Sequence, residues 1–156
     1  MATYFFDSSA IVKYYLTEPG SVWVRQIVND KNNFCVICEI SLAEVAAALA
    51  QARRAKRLGH TAMRNIYALF RADLRSRLFY TYPIILETAE LAANIAMRQP
   101  LKGCDALQVA AALLIEDPLQ VAVIFMSSDQ QALRAAALEG LQFADPMDHT
   151  DEDKPQ

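Results

Sequence analysis

The chain has few of the residues that build disulfide frameworks or zinc sites: it contains three cysteines and two histidines in 156 residues. An odd number of cysteines does not complete a disulfide framework, so it favours a reducing cytoplasm. Cys35 and Cys38 form a CxxC pair, but zinc would require a second pair or histidines at ligand spacing. The pair also falls in a run that predicts a strand, whereas a redox pair lies at a helix N-terminus. We therefore expect buried structural thiols.

Long apolar runs are also missing. The longest, residues 109–115 and 121–126, are much shorter than the roughly 18 to 20 residues of a membrane-spanning helix. Residues 1–6 lack the basic start and the long apolar core of a secretory signal. With 54% apolar residues, a chain of 156 residues can form one domain with a substantial core. We expect a soluble, cytoplasmic protein that does not associate with membranes.

Charge is distributed unevenly along the chain. The formal net charge is −3, yet the segment from Asp145 onward holds five acids and one lysine. Eight basic residues lie between Arg53 and Arg77, against the single acid Asp73. Such a region attracts phosphates, although cations there can instead favour a helix C-terminus or simply solvate a surface. The candidate nucleic-acid contacts in this region are Arg53, Arg54, Arg57, Arg64, Arg71 and Arg75.

Hydrophobic periodicity predicts that strands and helices alternate. The predicted strands are residues 3–6, 34–40, 80–83, 121–126 and 141–144. The predicted helices are about residues 9–16, 21–29, 41–59, 60–79, 86–97, 104–115 and 129–137. This alternation predicts an α/β fold, a three-layer α/β/α sandwich with a central, mostly parallel sheet. We expect one domain over residues 1–146 and a loose, disordered acidic tail over residues 147–156.

Four acids lie at predicted junctions between strands and helices. Asp7 follows the first strand, Glu44 lies one turn into a helix, Asp105 opens another helix, and Asp129 follows a late strand. In an α/β protein such junctions meet at one edge of the sheet. We therefore expect these four side chains to share one crevice.

Each acid also has an ordinary structural explanation. Asp7, Asp105 and Asp129 suit a helix N-cap or first turn, and Ser41 with Glu44 has the spacing of a capping box. Capping does not explain why four such positions would share one end of the sheet. Carboxylates packed about 4 Å apart repel each other by several kcal/mol, so either a divalent cation or protonation is expected to compensate them. Oxygen ligands without imidazole or thiolate suit Mg²⁺ or Mn²⁺, and such a site can activate water towards a phosphodiester.

Four motifs surround these acids in order: FDSSAIVKYY from Phe6, SLAEVAAAL from Ser41, LKGCDALQVAAAL from Leu101 and FMSSDQQALRAAALEGLQFADP from Phe125. Together they resemble the PIN-domain ribonucleases, and within them the VapC-type toxins of bacterial toxin-antitoxin pairs. The similarity extends along nearly the whole chain up to Met147. The resemblance assigns the catalytic and metal-ligand positions to Asp7, Glu44, Asp105 and Asp129.

The resemblance also implies RNA as the substrate, Mg²⁺ or Mn²⁺ as the cofactor, a homodimer, and a VapB-like antitoxin whose tail covers the active groove. It implies that the helical hairpin over residues 41–79 faces antitoxin and RNA. Either Ser127 or Ser128 would be a hydroxyl neighbour of Asp129. Ser9 and Ser128 would orient waters or a carboxylate, unless they merely cap helices. Gln108 stands where many relatives carry histidine, and Cys104 replaces a smaller or polar residue, but neither change removes a ligand.

Other phosphate-handling classes fit less well. A phosphoaspartyl phosphatase requires a second aspartate two residues after Asp7, where the chain has Ser9, and the acidic pair of a receiver domain is not found. A catalytically silent PIN-like module that binds protein or RNA is the main alternative, and the presence of all four acids argues against it. The sequence therefore predicts a divalent-metal-dependent endoribonuclease, but it does not predict the RNA target.

Overall fold

The strands and helices alternate along the chain in the computed structural model, which describes residues 2–119 and 121–153. The strands are β1 (Ala2–Phe6), β2 (Asn33–Cys38), β3 (Tyr80–Tyr82), β4 (Val123–Met126) and β5 (Gln142–Ala144). The helices are α1 (Ser8–Tyr15), α2 (Ser21–Asn29), α3 (Ser41–Arg54), α4 (His60–Arg75), α5 (Leu86–Arg98), α6 (Gly103–Leu119) and α7 (Gln130–Leu138). A 3₁₀ segment over Pro146–Asp153 follows β5.

The five strands form one parallel sheet in the order β3-β2-β1-β4-β5. Phe6, the last residue of β1, is in register with Ile37 of β2 and Met126 of β4. The carboxyl ends of these three strands therefore lie side by side. The predicted fold class is confirmed, and its sheet is entirely parallel over the described residues.

Successive residues of β1 point to opposite faces of the sheet, and helices cover both faces, as a parallel sheet requires. Phe5 packs in a core built with α5, α6 and α7, while Phe6 packs in a second core built with α1, α2, α3 and α4. The two phenylalanines are fully buried. This arrangement explains why the strands are apolar runs instead of alternating apolar and polar residues.

Helices α3 and α4 end several residues earlier than the sequence predicts. Lys56 and Arg77, just past the two ends, both have a left-handed backbone with φ of 61°. At the first end, the Arg57 amide bonds the Ala52 carbonyl and the Lys56 amide bonds the Arg53 carbonyl, both at 2.9 Å. This is the Schellman pattern, which usually has glycine at the left-handed position. Because the chain has lysine or arginine there, the sequence does not reveal these ends.

The loose tail predicted from Met147 is not what the structure shows for residues 147–153. The Asp153 carboxylate accepts hydrogen bonds from the amides of Gly20 and Val22, at the start of α2. The rings of Trp23 and His149 stack with their centres 3.9 Å apart. The carboxylate replaces the side-chain cap that Gly20 cannot supply, which gives the acidic segment a reason to pack on α2. Residues 154–156 of the predicted tail lie outside the described residues.

No helix within residues 2–119 and 121–153 combines the length and the apolar character needed to cross a bilayer.

Candidate active site

The site lies at the carboxyl ends of β1 and β4, which are neighbours in the sheet. From β1 the sheet extends through β2 and β3 on one side and through β4 and β5 on the other. This change of direction opens a crevice between β1 and β4, where α/β proteins bind ligands. Asp7 directly follows β1, and Ser127 directly follows β4. The backbone amide of Asp7 bonds the Met126 carbonyl at 3.0 Å and so fixes the two strand ends together.

Asp7 is the most buried of the four predicted acids, with 6% of its surface exposed. One carboxylate oxygen accepts hydrogen bonds from the Ser9 hydroxyl at 2.7 Å and from the Ala10 amide at 2.9 Å. The other accepts a hydrogen bond from the Ser127 hydroxyl. Burial raises the pKa of Asp7 to about 6, although the hydrogen bonds from Ser127, Ser9 and Ala10 oppose the shift. Asp7 therefore caps α1, as the structural explanation for this acid predicts. It also places a buried carboxyl group at the crevice between β1 and β4.

Glu44 does not form the capping box that its spacing from Ser41 suggests. Helix α3 begins at Ser41 with Ile40 as its N-cap, and the cap makes no side-chain hydrogen bond. The Glu44 carboxylate instead accepts hydrogen bonds from the Gln108 side-chain amide at 2.8 Å and from the Ser8 hydroxyl. The same Gln108 nitrogen lies 3.2 Å from the Ser41 hydroxyl. Side chains from α1 and α6 thus hold Glu44 in the crevice, so capping does not account for it.

Asp105 lies in the first turn of α6 and is half-buried. Burial raises its pKa, and the negative charges of Asp129 and Glu44 raise it further, while Lys102 opposes the shift. The interaction of Asp105 with both acids shows that three of the predicted carboxyl groups share one electrostatic environment.

Asp129 is exposed and is the N-cap of α7. One of its oxygens accepts hydrogen bonds from the amides of Gln131 at 2.8 Å and Ala132 at 3.2 Å. Its own amide donates to the Ser127 hydroxyl at 2.9 Å. Ser127 therefore connects Asp129 to Asp7.

The serines near the acids differ in the groups that they contact. Ser9, which the sequence predicts beside the acids, donates a hydrogen bond to the Asp7 carboxylate. The Ser9 hydroxyl also accepts a hydrogen bond from the Ser128 amide at 2.8 Å. The Ser128 hydroxyl is buried and has no hydrogen-bond partner among the described residues. Ser127 and Ser8 touch Asp7 and Glu44 directly, and the sequence interpretation did not assign them these contacts. Their only signal is the repeated Ser-Ser pair next to two of the acids.

The donor set suits a hard divalent cation, because it consists of carboxylates and hydroxyls. Within the described part of the chain, however, no three His, Cys, Asp or Glu side chains are arranged as a group that could hold a metal ion. The acids are instead held separately: Ser8 and Gln108 contact Glu44, while the Ser127 hydroxyl contacts the Asp7 carboxylate and the Asp129 amide. The residues therefore fit the chemistry of Mg²⁺ or Mn²⁺ but do not form a closed set of ligands.

Comparison with known proteins places the chain in a family. The family model of the PIN domain matches residues 4–138. The chain belongs to the PIN-domain family. The matched segment includes all four acids, so the family match and the crevice at the β1 and β4 ends concern the same part of the molecule.

Two curated relatives come from Mycobacterium tuberculosis. Ribonuclease VapC45 (strain CDC 1551 / Oshkosh) and ribonuclease VapC49 (strain ATCC 25618 / H37Rv) are each 32% identical over 126 residues, which cover 79% of this chain and 84% of the relative. Among solved structures, FitAcB from Neisseria gonorrhoeae matches with a TM-score of 0.59 and 16% identity, covering 92% of this chain and 97% of the other. VapBC2 from Rickettsia felis, bound to a promoter DNA fragment, matches with a TM-score of 0.61 and 11% identity, covering 92% and 98%. At these identities, the structural matches support the fold alone.

The six arginines that the sequence marks on this PIN domain are all exposed, and four of them line three different grooves. Arg57 pairs with Glu18 at 2.6 Å, beside the cleft that begins at the candidate site. Arg64 lines a groove between α3 and α4. Arg71 and Arg75 line another groove, towards β3. Arg53 and Arg54 lie in the last turn of α3.

The CxxC pair has the predicted structural role. Cys35 and Cys38 are buried, unpaired thiols. Burial raises the pKa of both thiols, that of Cys35 to about 12, which keeps them protonated and unreactive. Cys104 is exposed beside Asp105, and burial together with the charges of Glu44 and Asp105 raises its pKa. The thiols of this PIN domain therefore contribute no nucleophile at neutral pH.

Proposed function

We propose that the protein is a divalent-metal-dependent endoribonuclease that hydrolyses RNA phosphodiester bonds, as the toxin of a VapBC-type toxin-antitoxin pair. The observation that supports this most strongly is that the charges of Asp129 and Glu44 both act on Asp105, while the Ser127 hydroxyl contacts the Asp7 carboxylate and the Asp129 amide. Membership of the PIN-domain family and the two relatives named as ribonucleases support the same activity.

In this proposal, Asp7, Glu44, Asp105 and Asp129 hold one or two Mg²⁺ or Mn²⁺ ions. A divalent ion bound there supplies a more acidic water and neutralises negative charge at the phosphodiester. The hydroxyls of Ser9 and Ser127 fix the two oxygens of Asp7. Two donors fix Glu44 in the same way.

Hydrogen bonds of this kind set the orientation of a carboxylate ligand. No side chain of the protein has to act as the nucleophile.

The partners are part of the proposal. Structural neighbours at similar TM-scores include FitAB with a DNA fragment and VapBC-1 from nontypeable Haemophilus influenzae. A VapB-like antitoxin, a homodimeric state, a cytoplasmic location and RNA contact through exposed arginines follow from the same assignment. The domain boundary near residue 146 stays a prediction.

The experiment that tests the activity is cleavage of a panel of folded and single-stranded RNAs in Mg²⁺ or Mn²⁺. We expect the wild-type protein to cleave at least one RNA, and a chelator to stop the reaction. Asp7→Asn should abolish cleavage while circular dichroism remains unchanged, because asparagine keeps a cap for α1 but loses the charge. Asp30→Asn changes an exposed aspartate away from the site and serves as the matched control.

Two results would reject the metal-dependent mechanism: cleavage that continues in the chelator, or full activity of Asp7→Asn. A wild-type protein that binds a partner but cleaves none of the RNAs would instead favour the catalytically silent module.

A further inference from the structure

A cleft of about 450 Å³ extends from the candidate active site between α1 and α3. Near the acids it is lined by Ser8, Ser9 and Ser128. Away from the acids it is lined by Lys13, Glu18 and Arg57. The four predicted acids do not line it, so the cleft is an extension of the site and not the site itself.

Helix α3 gives the cleft its length and its open floor. The floor includes Ala48, Ala52 and Ala55, whose methyl groups leave room for a chain to lie along the helix. At about 1.5 Å per residue, α3 rises about 16 Å between Glu44 and Ala55. A polymer whose reacting bond lies at Glu44 would therefore reach the far end of the cleft within a few of its units.

The far end of the cleft carries an excess of positive charge. The Lys13 side chain is 6% exposed, and its ammonium group donates to the Pro19 carbonyl at 2.9 Å. The Glu18 carboxylate is 3.9 Å from that ammonium group and bonds Arg57 at 2.6 Å. Among the residues that line the cleft, one carboxylate thus faces two cations. The Asp153 carboxylate also interacts electrostatically with Lys13, so Arg57 is the more accessible of the two cations for a second anion.

Serine side chains lie at the near end of the cleft. Ser128 lines it, and the Ser128 hydroxyl is buried and has no hydrogen-bond partner in residues 2–119 or 121–153. The cleft therefore combines polar residues near the acids with positive charge at a distance along α3. A strand with regularly spaced phosphates fits this pattern, since one phosphate can lie at the acids while another meets the cations.

We propose that this cleft is a subsite for the backbone of single-stranded RNA, in which Lys13 and Arg57 bind a phosphate a few nucleotides from the cleaved bond. The inference rests on the proposed ribonuclease function. The subsite gives Arg57 a role in binding RNA phosphate that the arginines lining the other grooves do not share. An acidic peptide would also meet the two cations, but it has no phosphodiester to place at the acids beyond the near end of the cleft.

The test measures the binding of a short, fluorescein-labelled oligouridylate by fluorescence anisotropy, in a chelator and at several salt concentrations. The Asp7→Asn background prevents cleavage. Adding Arg57→Ala should weaken binding about threefold to tenfold and should reduce the slope of log affinity against log salt by about 0.7, the contribution of one phosphate contact on a single strand. Arg57→Lys should retain most of the slope, because it keeps the charge.

Arg98→Ala is the matched control. Arg98 forms the same kind of ion pair, with Glu139 at 2.9 Å, and 54% of its side chain is exposed compared with 52% for Arg57. We expect this change to alter neither affinity nor slope. Equal effects of Arg57→Ala and Arg98→Ala would overturn the subsite, even if the wild-type protein cleaves RNA.

Two further results separate the alternatives. If Arg57→Ala abolishes binding of oligoglutamate but leaves oligouridylate binding unchanged, the cleft takes an acidic peptide and the RNA subsite is wrong. If Arg57→Ala weakens oligouridylate binding as expected while the wild-type protein cleaves no RNA in Mg²⁺, the subsite stands and the catalytic proposal fails.

Discussion

The Gln108 side-chain nitrogen donates to the Glu44 carboxylate at 2.8 Å, across 64 positions of sequence. The same nitrogen lies 3.0 Å from the Ser8 hydroxyl, and Gln108 is 2% exposed. Its side-chain oxygen has no hydrogen-bond partner within the described chain. The hydrogen bonds of the side-chain nitrogen therefore set the orientation of Gln108. The bond to Glu44 in turn holds that carboxylate in the crevice.

Gln108→Leu should weaken metal binding. Leucine fills a similar volume, but it leaves Glu44 with only the Ser8 hydrogen bond found here. Loss of such a supporting hydrogen bond typically reduces metal affinity about tenfold or more. Titration calorimetry with Mn²⁺ measures the change, and Gln108→His should restore most of the affinity because histidine can also donate. If Gln108→Leu binds Mn²⁺ as tightly as the wild-type protein, Gln108 does not position Glu44.

Asp7→Asn should stabilise the metal-free protein at neutral pH. The pKa of Asp7 is raised to about 6 from 3.8, so the folded state favours the protonated form. The stabilising effect of that proton is fully present below about pH 4 and is lost as the pH rises through 6. The difference corresponds to at most about 3 kcal/mol. Asparagine does not ionise, so the variant does not lose stability in this way.

Urea unfolding in a chelator, from pH 4 to pH 7.5, checks this dependence. We expect the advantage of Asp7→Asn to be largest above pH 6 and to disappear near pH 4. A constant difference at every pH would show that ionisation of Asp7 does not control it. A variant less stable than the wild-type protein at pH 7 would contradict the direction of the shift.

Gly20→Ala should destabilise the protein. Gly20 has φ of 83°, and an added Cβ would lie 2.3 Å from the backbone oxygen of Pro146. A left-handed alanine alone costs about 1 to 2 kcal/mol, and the clash adds to this. Gly103→Ala is the control, because no atom lies within 4 Å of a Cβ added there. Thermal unfolding should show a clear loss for Gly20→Ala and little change for Gly103→Ala.

Asp153→Ala should lower the melting temperature at neutral pH. The amides of Val22 and Gly20 hold the pKa of Asp153 below its ordinary value, so the ionised form is favoured in the folded state. Its stabilising effect is present above the ordinary pKa and is lost as the pH falls through the lowered one. The difference between the variant and the wild-type protein should therefore shrink in acid. Equal melting temperatures at pH 7 would mean that the 3₁₀ segment does not stabilise α2.

The sequence predicts the layers of the fold well, because the residue pattern within each strand and helix indicates which of its faces are buried. It fails where the outcome depends on distant contacts. The acidic C-terminal segment has the composition of a loose tail, yet Asp153 meets the start of α2 across 131 positions. The ends of α3 and α4 depend on the left-handed backbone conformations of Lys56 and Arg77. Neither residue is glycine, which is the residue that usually marks such a helix end in a sequence.

For the site, the four junction positions follow from chain order and sheet topology, so the acids could be predicted. Ser9 beside Asp7 could also be predicted, but the hydrogen-bond partners from distant parts of the chain could not. Ser127 meets Asp7 across 120 positions, and Ser8 meets Glu44 across 36. The six arginines look like one basic region in sequence, but in the structure four of them line three different grooves, and of these only Arg57 lines the cleft beside the candidate active site.

The most direct measurement of the central claim is the location of Mn²⁺ by anomalous scattering in crystals soaked with the ion. The account predicts one or two Mn²⁺ peaks at the carboxyl ends of β1 and β4, coordinated by oxygens of Asp7, Glu44, Asp105 or Asp129, and their loss in Asp7→Asn. Mn²⁺ bound elsewhere, or an empty crevice at saturating Mn²⁺, would contradict it.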